Sequence, residues 1–553
     1  MVEKLPIDLL YAIGDAINSR CTLAALCRVS KSFNRVFTPI LYAKIHIQDC
    51  ESRSLLERIS ALPSGSHLGC TKILYIGRNI PRLPFLASGV DVDTCLEKMP
   101  ELVSLEITSS VGELDLSGEG RHGLETVSKR GKLRDLILVG SRKQEFPTLK
   151  TIFTNLRTLS LHGMSRVDPD CCHHVVEILL ASPHLKHLGL SHSKRNDTWS
   201  SELQKLAQLY SQKRLERDLP LLRIQELDLG TGFLPKDVLN LVADPHYLSQ
   251  LTDLEHLSSL QLRNHVSFDD KRQQVHVPLL HRAVNLKCIE VEVLSKDIEQ
   301  LLQYLCYTNP GGFTSLAFIG LHYHHDSYSG TTVTPNIASI ISPAPSVGHS
   351  WTSLSFTEIS TDIPGSHYMT DFIRHCTDLQ YLACPMNNSN LELFKTYMPN
   401  LMHLDTLIIT KGNFPDHVPT TVDVSAELEA RSKARAEGEK TQYQPFSAHP
   451  EISRVSTDGQ KQAKDRARER GEKIRKGIAE DLFKLSREIF STRKEGHRGE
   501  TLKYVGLGYR VYRWVLPGSG EEDGDRRVEQ LSLDEARTFK EVRRALQVSP
   551  DAP

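Results

Sequence analysis

No two of the eleven cysteines stand at C-x-x-C spacing, and an odd count leaves one over from any complete set of disulfides. A zinc ribbon and a disulfide scaffold are both disfavoured, and a reducing cytoplasmic or nuclear setting is expected. Charge of one sign is also missing: 67 Lys and Arg face 68 Asp and Glu, a formal net charge of -1. That argues against a globally basic nucleic-acid binder and against a strongly acidic, solvating chain. Long hydrophobic runs are absent. Lys4 and Asp8 interrupt the apolar N-terminal residues, so no secretory signal is expected. The longest stretch free of Asp, Glu, Lys and Arg, Ser327 to Thr357, is rich in Ser, Thr and Pro and reads as loop, not membrane span. No G-x-S-x-G elbow, Walker loop or H-E-x-x-H motif occurs, so neither a catalytic residue nor a cofactor is expected.

What is present is a repeat. An apolar residue, two free positions, a Leu-like residue, one free position and another apolar residue recur along the middle of the chain. The clearest copies are Leu102, Leu105, Ile107; Leu133, Leu136, Leu138; Leu156, Leu159, Leu161; and Leu185, Leu188, Leu190. Ile224, Leu227, Leu229; Leu257, Leu260, Leu262; and Leu286, Ile289, Val291 follow, with weaker copies beginning at Phe313, Trp351, Leu379 and Leu404. The last two apolar residues of a copy are two apart, so they share one face of a short strand. Helix-like stretches lie between copies, for example around Val175, Val176, Leu179 and Leu180. Strand followed by helix, repeated, predicts an α/β solenoid lined by a parallel sheet; an ordinary doubly wound α/β domain is the alternative.

Over residues of about 70 to 410 this pattern resembles the leucine-rich repeat family. The resemblance lies in the leucine skeleton. The Asn or Cys that bonds between turns in that family has no regular counterpart, since Ser141, Met164, Ser193, Gly232 and His265 stand at its places.

The first 45 residues have a different grammar. Pro6 suits the first turn of a helix, and Leu9, Leu10, Ile13 and Ile17 make one apolar face. Leu23, Leu26 and Val29 form a second. Ser30 suits the cap of a third helix carrying Phe33, Val36 and Phe37 and expected to end at Pro39. Three helices this short cannot build a self-sufficient core, so they must lean on the repeats, on a partner, or on both. The order L-P-x-D-L-L, then V-S-K-x-F-N, then P-x-L-Y resembles the F-box, with Phe33 and Tyr42 standing where many members have Trp. The resemblance implies docking on a Skp-type adaptor, and so membership of a cullin–RING ubiquitin ligase, through Leu5, Pro6, Ile7, Leu9, Leu10, Ile13, Val29 and Phe33. A helical cap over the first repeat, with no partner, is the alternative.

Between Ser425 and Lys476 the composition turns to 13 basic and 9 acidic residues with five Leu, Ile, Val or Phe. This reads as disordered or as an isolated helix. In its second part, Lys461 to Lys476, interspersed acids and the lack of a stacking aromatic argue against nucleic acid. Ile478, Leu482, Leu485 and Ile489 then make an amphipathic helix face, and Leu502, Val505 and Leu507 restore the repeat phrase. Ser532 and Glu535 suit a capping box for a last helix through Phe539, Val542 and Leu546.

The domains expected are a helical unit at 1–45, a solenoid at 46–410, a charged insertion at 411–476, a helix with a terminal strand at 477–516, and an acidic linker with a short helix at 517–553. His322, His324, His325 and Asp326 form the best metal-like cluster, but no spaced second pair accompanies them. Cys171, Cys172, His173 and His174 are consecutive on a helix and do not converge; no metal is expected. The function expected is that of a non-enzymatic recognition subunit, with a scaffold without ubiquitination as the alternative and a hydrolase with a noncontiguous site a distant third. Candidate target contacts are the free strand positions Thr158, Ser160, His187, Glu226, Asp228, Ser259, Gln261 and Arg263, placed at the surface by alternation.

Overall fold

A parallel strand satisfies its backbone only if its neighbours keep the same register, and the leucine phrase supplies that register on every turn. The computed structural model describes residues 5–17, 20–47, 67–76, 92–108, 123–139, 151–164, 170–192, 202–230, 246–262, 283–291, 314–318, 351–356, 376, 378–384, 394–396, 398–401, 403–409, 469, 472–487, 502–507, 510–515, 527–531, 533–536 and 539. The chain divides into two compact units, one formed mainly by residues 1–354 and one by residues 355–542. The dividing point falls inside the stretch 46–410 expected as one solenoid.

In the first unit the strands are β1 (Lys44–Ile47), β2 (Ile73–Ile76), β3 (Ser104–Thr108), β4 (Asp135–Val139), β5 (Thr158–Met164), β6 (His187–His192), β7 (Glu226–Leu229), β8 (Ser259–Leu262), β9 (Cys288–Val291) and β10 (Ser315–Phe318). Each pairs in parallel with the next in chain order. This is the open, mostly parallel α/β arrangement that the phrase predicts, without the reordered strands of a doubly wound domain. Leu105, Leu136, Leu159, Leu188, Leu227, Leu260, Ile289 and Leu316 stand side by side across these strands, and all are buried. β1 and β2 extend the array upstream of the first full phrase. They carry only its last two apolar positions, Ile45 and Ile47, then Leu74 and Ile76.

The missing Asn ladder has a backbone substitute. Each turn presents one carbonyl, just ahead of its strand, that accepts two N–H groups from the following turn. Lys72 O takes the N–H groups of Val103 and Ser104 at 2.8 and 3.0 Å. Val103 O takes those of Arg134 and Asp135, Arg134 O those of Arg157 and Thr158, and Arg157 O those of Lys186 and His187. The pattern continues through Lys186, Gln225, Ser258 and Lys287, and it recurs in the second unit at Gln380 and Asp405.

Buried hydroxyls reinforce it. The N–H of Leu156, first apolar residue of its phrase, donates to Ser182 Oγ at 3.1 Å. The N–H of Ile224 donates to Thr252 Oγ1 at 3.1 Å, and that hydroxyl donates onward to Leu222 O at 3.0 Å.

Helices return the chain between strands. Cys171–Leu180 buries Val175, Val176, Ile178, Leu179 and Leu180, and it packs against Glu202–Glu216, which in turn packs against His246–Leu251. Cys171 and Cys172 are buried on the first of these, whereas His173 is exposed, so the four consecutive residues do not converge. Gly131, at φ 64°, closes the helix Gly123–Arg130 in the left-handed conformation that favours glycine. Glu177 receives Lys213 at 2.6 Å and Arg217 at 2.9 Å. Burial pushes the Glu177 carboxyl up, but hydrogen bonds from Lys213 and Arg217 and their charges hold it below the ordinary value.

β11 (Ser353–Phe356) spans the point where the chain divides. The second unit contains β12 (Tyr381–Cys384), β13 (Thr406–Ile409), β14 (Tyr504–Leu507), β15 (Arg510–Val515) and β16 (Arg527–Gln530). β13 pairs in parallel with β14 although nearly a hundred residues separate them, so the phrase at Leu502 resumes the array in phase. β15 and β16 then turn antiparallel, joined across the pair by Arg513 and Glu529 at 3.0 Å. β16 lies in the stretch expected as linker, where a four-residue strand with two charges left no apolar alternation to find. The helix 472–487 begins inside the expected insertion. Its buried face is Arg475, Ala479, Leu482, Phe483 and Ser486, one position round from the expected stripe, so Ile478 and Leu485 are half-buried. The insertion up to 468, the His322 cluster, Arg263, Ile489, Ser532, Val542 and Leu546 lie outside the described residues. Among those described, no helix is long and apolar enough to cross a membrane.

Two outcomes are expected. Thr252→Val strips the Ile224 N–H of its acceptor and lowers urea stability by about 1–3 kcal/mol, whereas Thr252→Ser retains most of it. The stabilisation from Glu177 is fully present above its unfolded value of 4.5 and is lost as pH falls through the lower folded value. The stability gap between the native chain and Glu177→Gln, read from paired urea melts, therefore closes between pH 7 and acid.

Candidate functional site

The three N-terminal helices are α1 (Ile7–Ala16), α2 (Arg20–Cys27) and α3 (Lys31–Tyr42). Pro6 sits just ahead of α1, and its carbonyl accepts the N–H groups of Leu9 and Leu10. Ser30 caps α3 by accepting the Phe33 N–H at 3.2 Å. Contrary to expectation, α3 runs past Pro39 to Tyr42. Ile40 and Leu41 pack against the core of the unit, and that burial offsets the hydrogen bond Pro39 cannot make.

That core is small: Leu10 from α1, Leu23 from α2, and Phe33, Val36 and Phe37 from α3, the two rings edge-to-face at 5.3 Å. Gly14 lies where α1 crosses α3, and a Cβ there would strike Ile40 and Phe37. Six large apolar side chains stay outside the core. Val29 is 63 % exposed, Leu9 51 % and Ile7 50 %, with Ile13, Tyr11 and Leu5 also exposed. At 100° per residue Leu9 and Ile13 lie together on one flank of α1, and Ile7 and Tyr11 on the other, with buried Leu10 and Gly14 between them.

Of the residues expected to meet an adaptor, Leu5, Pro6, Ile7, Leu9, Ile13 and Val29 are therefore available. Leu10 and Phe33 are not. At 3 % and 6 % exposure they hold the helices together. Adjacent residues on a helix diverge by 100°, so Leu9 and Leu10 cannot both face outward. Tyr11 was missed; its signal was the four-residue spacing from Ile7.

The expected target positions divide into two rows. Nearest the strand starts, Glu226 is exposed, and Thr158, His187 and Ser259 are half-buried. One alternation further, Ser160, Asp228 and Gln261 are buried, contrary to expectation. Alternation decides which face a side chain takes; whether that face is open depends on chain beyond the strand.

Buried among them is a polar clasp that joins β5, β6 and β7. Gly163, at φ 83°, donates its N–H to Ser191 Oγ at 3.3 Å, and Ser191 Oγ lies 3.0 Å from His162 Nδ1. His162 Nε2 lies 3.2 Å from Asp228 Oδ2. Gly189 is required between them, since a Cβ would come within 2.7 Å of Ser160 Oγ and 2.8 Å of His162 Nε2. Serine, histidine and aspartate together suit acyl transfer, but Ser191 is 4 % exposed and no substrate carbonyl reaches it. Among the described residues no group of His, Cys, Asp and Glu is placed to hold a metal ion.

No protein-family model matches this chain, and a search of curated proteins returns no match.

Leu10→Ala is expected to lower the stability of the helical unit by about 2–5 kcal/mol. Leu9→Ala with Ile13→Ala changes it by no more than about 0.5 kcal/mol per site. Amide exchange across α1–α3 distinguishes the two.

Proposed function

We propose that this chain is the target-recognition subunit of a cullin–RING ubiquitin ligase. In this reading α1–α3 are an F-box that docks on a Skp-type adaptor, the strand–helix repeats form a leucine-rich solenoid that holds a target, and the chain itself is not an enzyme. The observation that supports it is the set of exposed apolar side chains on α1 and at Val29, on a unit whose own core is five residues. Exposed apolar residues gathered on one short helix mark an interaction surface more than scattered ones do.

Magnitudes bound the contact. Covering the remaining half of about five such side chains contributes on the order of 5 kcal/mol. Association costs about 4–15 kcal/mol. The partner must therefore offer a preformed groove that also engages Pro6 and Tyr11, which is what an adaptor specialised for this helix would supply. Ubiquitin transfer then follows from proximity, because the target is held on the scaffold that carries the activated ubiquitin.

A second reading, a repeat scaffold capped by these helices, draws on the other side of the unit. Thr71 Oγ1 donates to Tyr42 O at 3.1 Å, Arg20 to Lys44 O at 3.0 Å, and the Tyr42 ring lies 5.3 Å from His67. These contacts occupy α3 and the start of α2 and leave the flanks of α1 uncovered, so capping accounts for half of the unit only.

Co-purification of the full chain with a Skp-type adaptor tests the proposal. Leu9→Asp with Ile13→Asp is expected to abolish capture while leaving the melting temperature unchanged. Full capture by that variant, or no adaptor bound by the native chain, overturns it.

A further inference from the structure

The two-donor ladder makes no demand on the side chain at its own position, because only the backbone N–H and C=O take part. Later turns of the first unit fill that position with Gln225, Ser258 and Thr314. Earlier turns fill it with Lys72, Val103, Arg134, Arg157 and Lys186, and Lys287 follows. The ladder brings Arg134, Arg157 and Lys186 onto three successive turns, linked backbone to backbone at 2.6 Å and 2.8 Å. Like charges are thus stacked at the strand spacing of about 4.8 Å, an arrangement that repels and that the fold does not require.

Their surroundings leave the charge uncompensated. Arg157 and Lys186 are exposed, and neither has an ion-pair partner among the described residues. Arg134 spends its Nη1 on the carbonyls of Gly131, Leu133 and Asn155, which lays it along the rim without neutralising it. Two residues ahead of the ladder position, on the same edge, stand Lys132, Asn155, His184 and Arg223, all exposed. The nearby carboxylates are largely engaged: Glu101 holds Lys132 at 2.6 Å, and Glu226 holds His187 at 3.2 Å. Asp135, half-buried in the next column, and on the turn beside Arg223 Asp253, which holds His256 at 3.0 Å, and exposed Glu255 are the other acids nearby among the described residues.

We propose that this rim, centred on Arg134, Arg157, Lys186 and Arg223, is a docking site for an extended acidic peptide segment of a partner protein. The four turns span about 14 Å, the reach of four or five extended residues, so a short run of Asp or Glu matches the cations. Nucleic acid fits less well, because none of the residues at these rim positions is Phe, Tyr or Trp and His184 is the one ring on which a base could stack. The site stands whether or not α1 docks an adaptor, so loss of adaptor capture does not bear on it.

The test is fluorescence anisotropy of the full-length protein with a labelled Glu-rich peptide of about ten residues, at about 50 mM salt. The native chain is expected to bind it, with affinity falling as salt rises. Arg157→Glu with Lys186→Glu is expected to weaken binding about tenfold or more. A control with the same change of net charge away from the rim, Arg28→Glu in the turn after α2 with Lys129→Glu on the helix Gly123–Arg130, binds like the native chain. No binding by the native chain, equal weakening in rim and control variants, or displacement of the peptide by a single-stranded oligonucleotide of equal charge at lower concentration, overturns the proposal.

Discussion

A carbonyl with two lone pairs has room for two donors, and at turn after turn among the described residues one carbonyl uses both. Lys72, Val103, Arg134, Arg157, Lys186, Gln225, Ser258 and Lys287 each receive a pair of N–H groups from the turn that follows. The consequence is geometric. Two donors on one oxygen fix the axial step and the register together, so each leucine phrase begins where the previous one began. Loops of different length are then absorbed outside the ladder, which is how phrases 23 residues apart and phrases 39 apart stack equally well. A side-chain ladder would demand a particular residue on every turn, whereas this one demands only an amide.

Because the ladder is blind to sequence, side chains at its edge and on the sheet face are free to serve other ends. On the face, His162, Ser191 and Asp228 use that freedom to tie three strands with a buried polar clasp. On the rim the same freedom permits three adjacent cations. At the N-terminal end α3 hands its Ala43 carbonyl to Lys72 and Ile73 in the same two-donor form, so the array begins on the helical unit itself. That attachment leaves α1 as the outermost layer, with a core of five side chains behind it and apolar flanks in front.

Much of the fold was legible. Leu105, Leu136, Leu159 and Leu188 align because a phrase with a two-residue period at its end can form only one kind of strand, and strands linked through helices must run parallel. The phrase at Leu502 could be placed in the array across a long interruption for the same reason. β16 was not legible, since it is a four-residue backbone ladder with two charged residues and no apolar rhythm to mark it. Nor was the persistence of α3 through Pro39, where the packing of Ile40 and Leu41 outweighs a local rule.

In the candidate site the division runs between neighbours. Residue order alone determined that Leu9, Leu10, Ile13 and Phe33 belong to short amphipathic helices, because helical periodicity is a property of local spacing. Only the packing of α1 on α3 decided that Leu10 and Phe33 turn inward while Leu9 and Ile13 remain outside. Alternation likewise determined that Thr158 and Ser160 share one sheet face; tertiary burial decided that the first is half open and the second closed. Periodicity sets direction relative to an element's own axis, whereas exposure is set by whatever distant chain the fold brings against it.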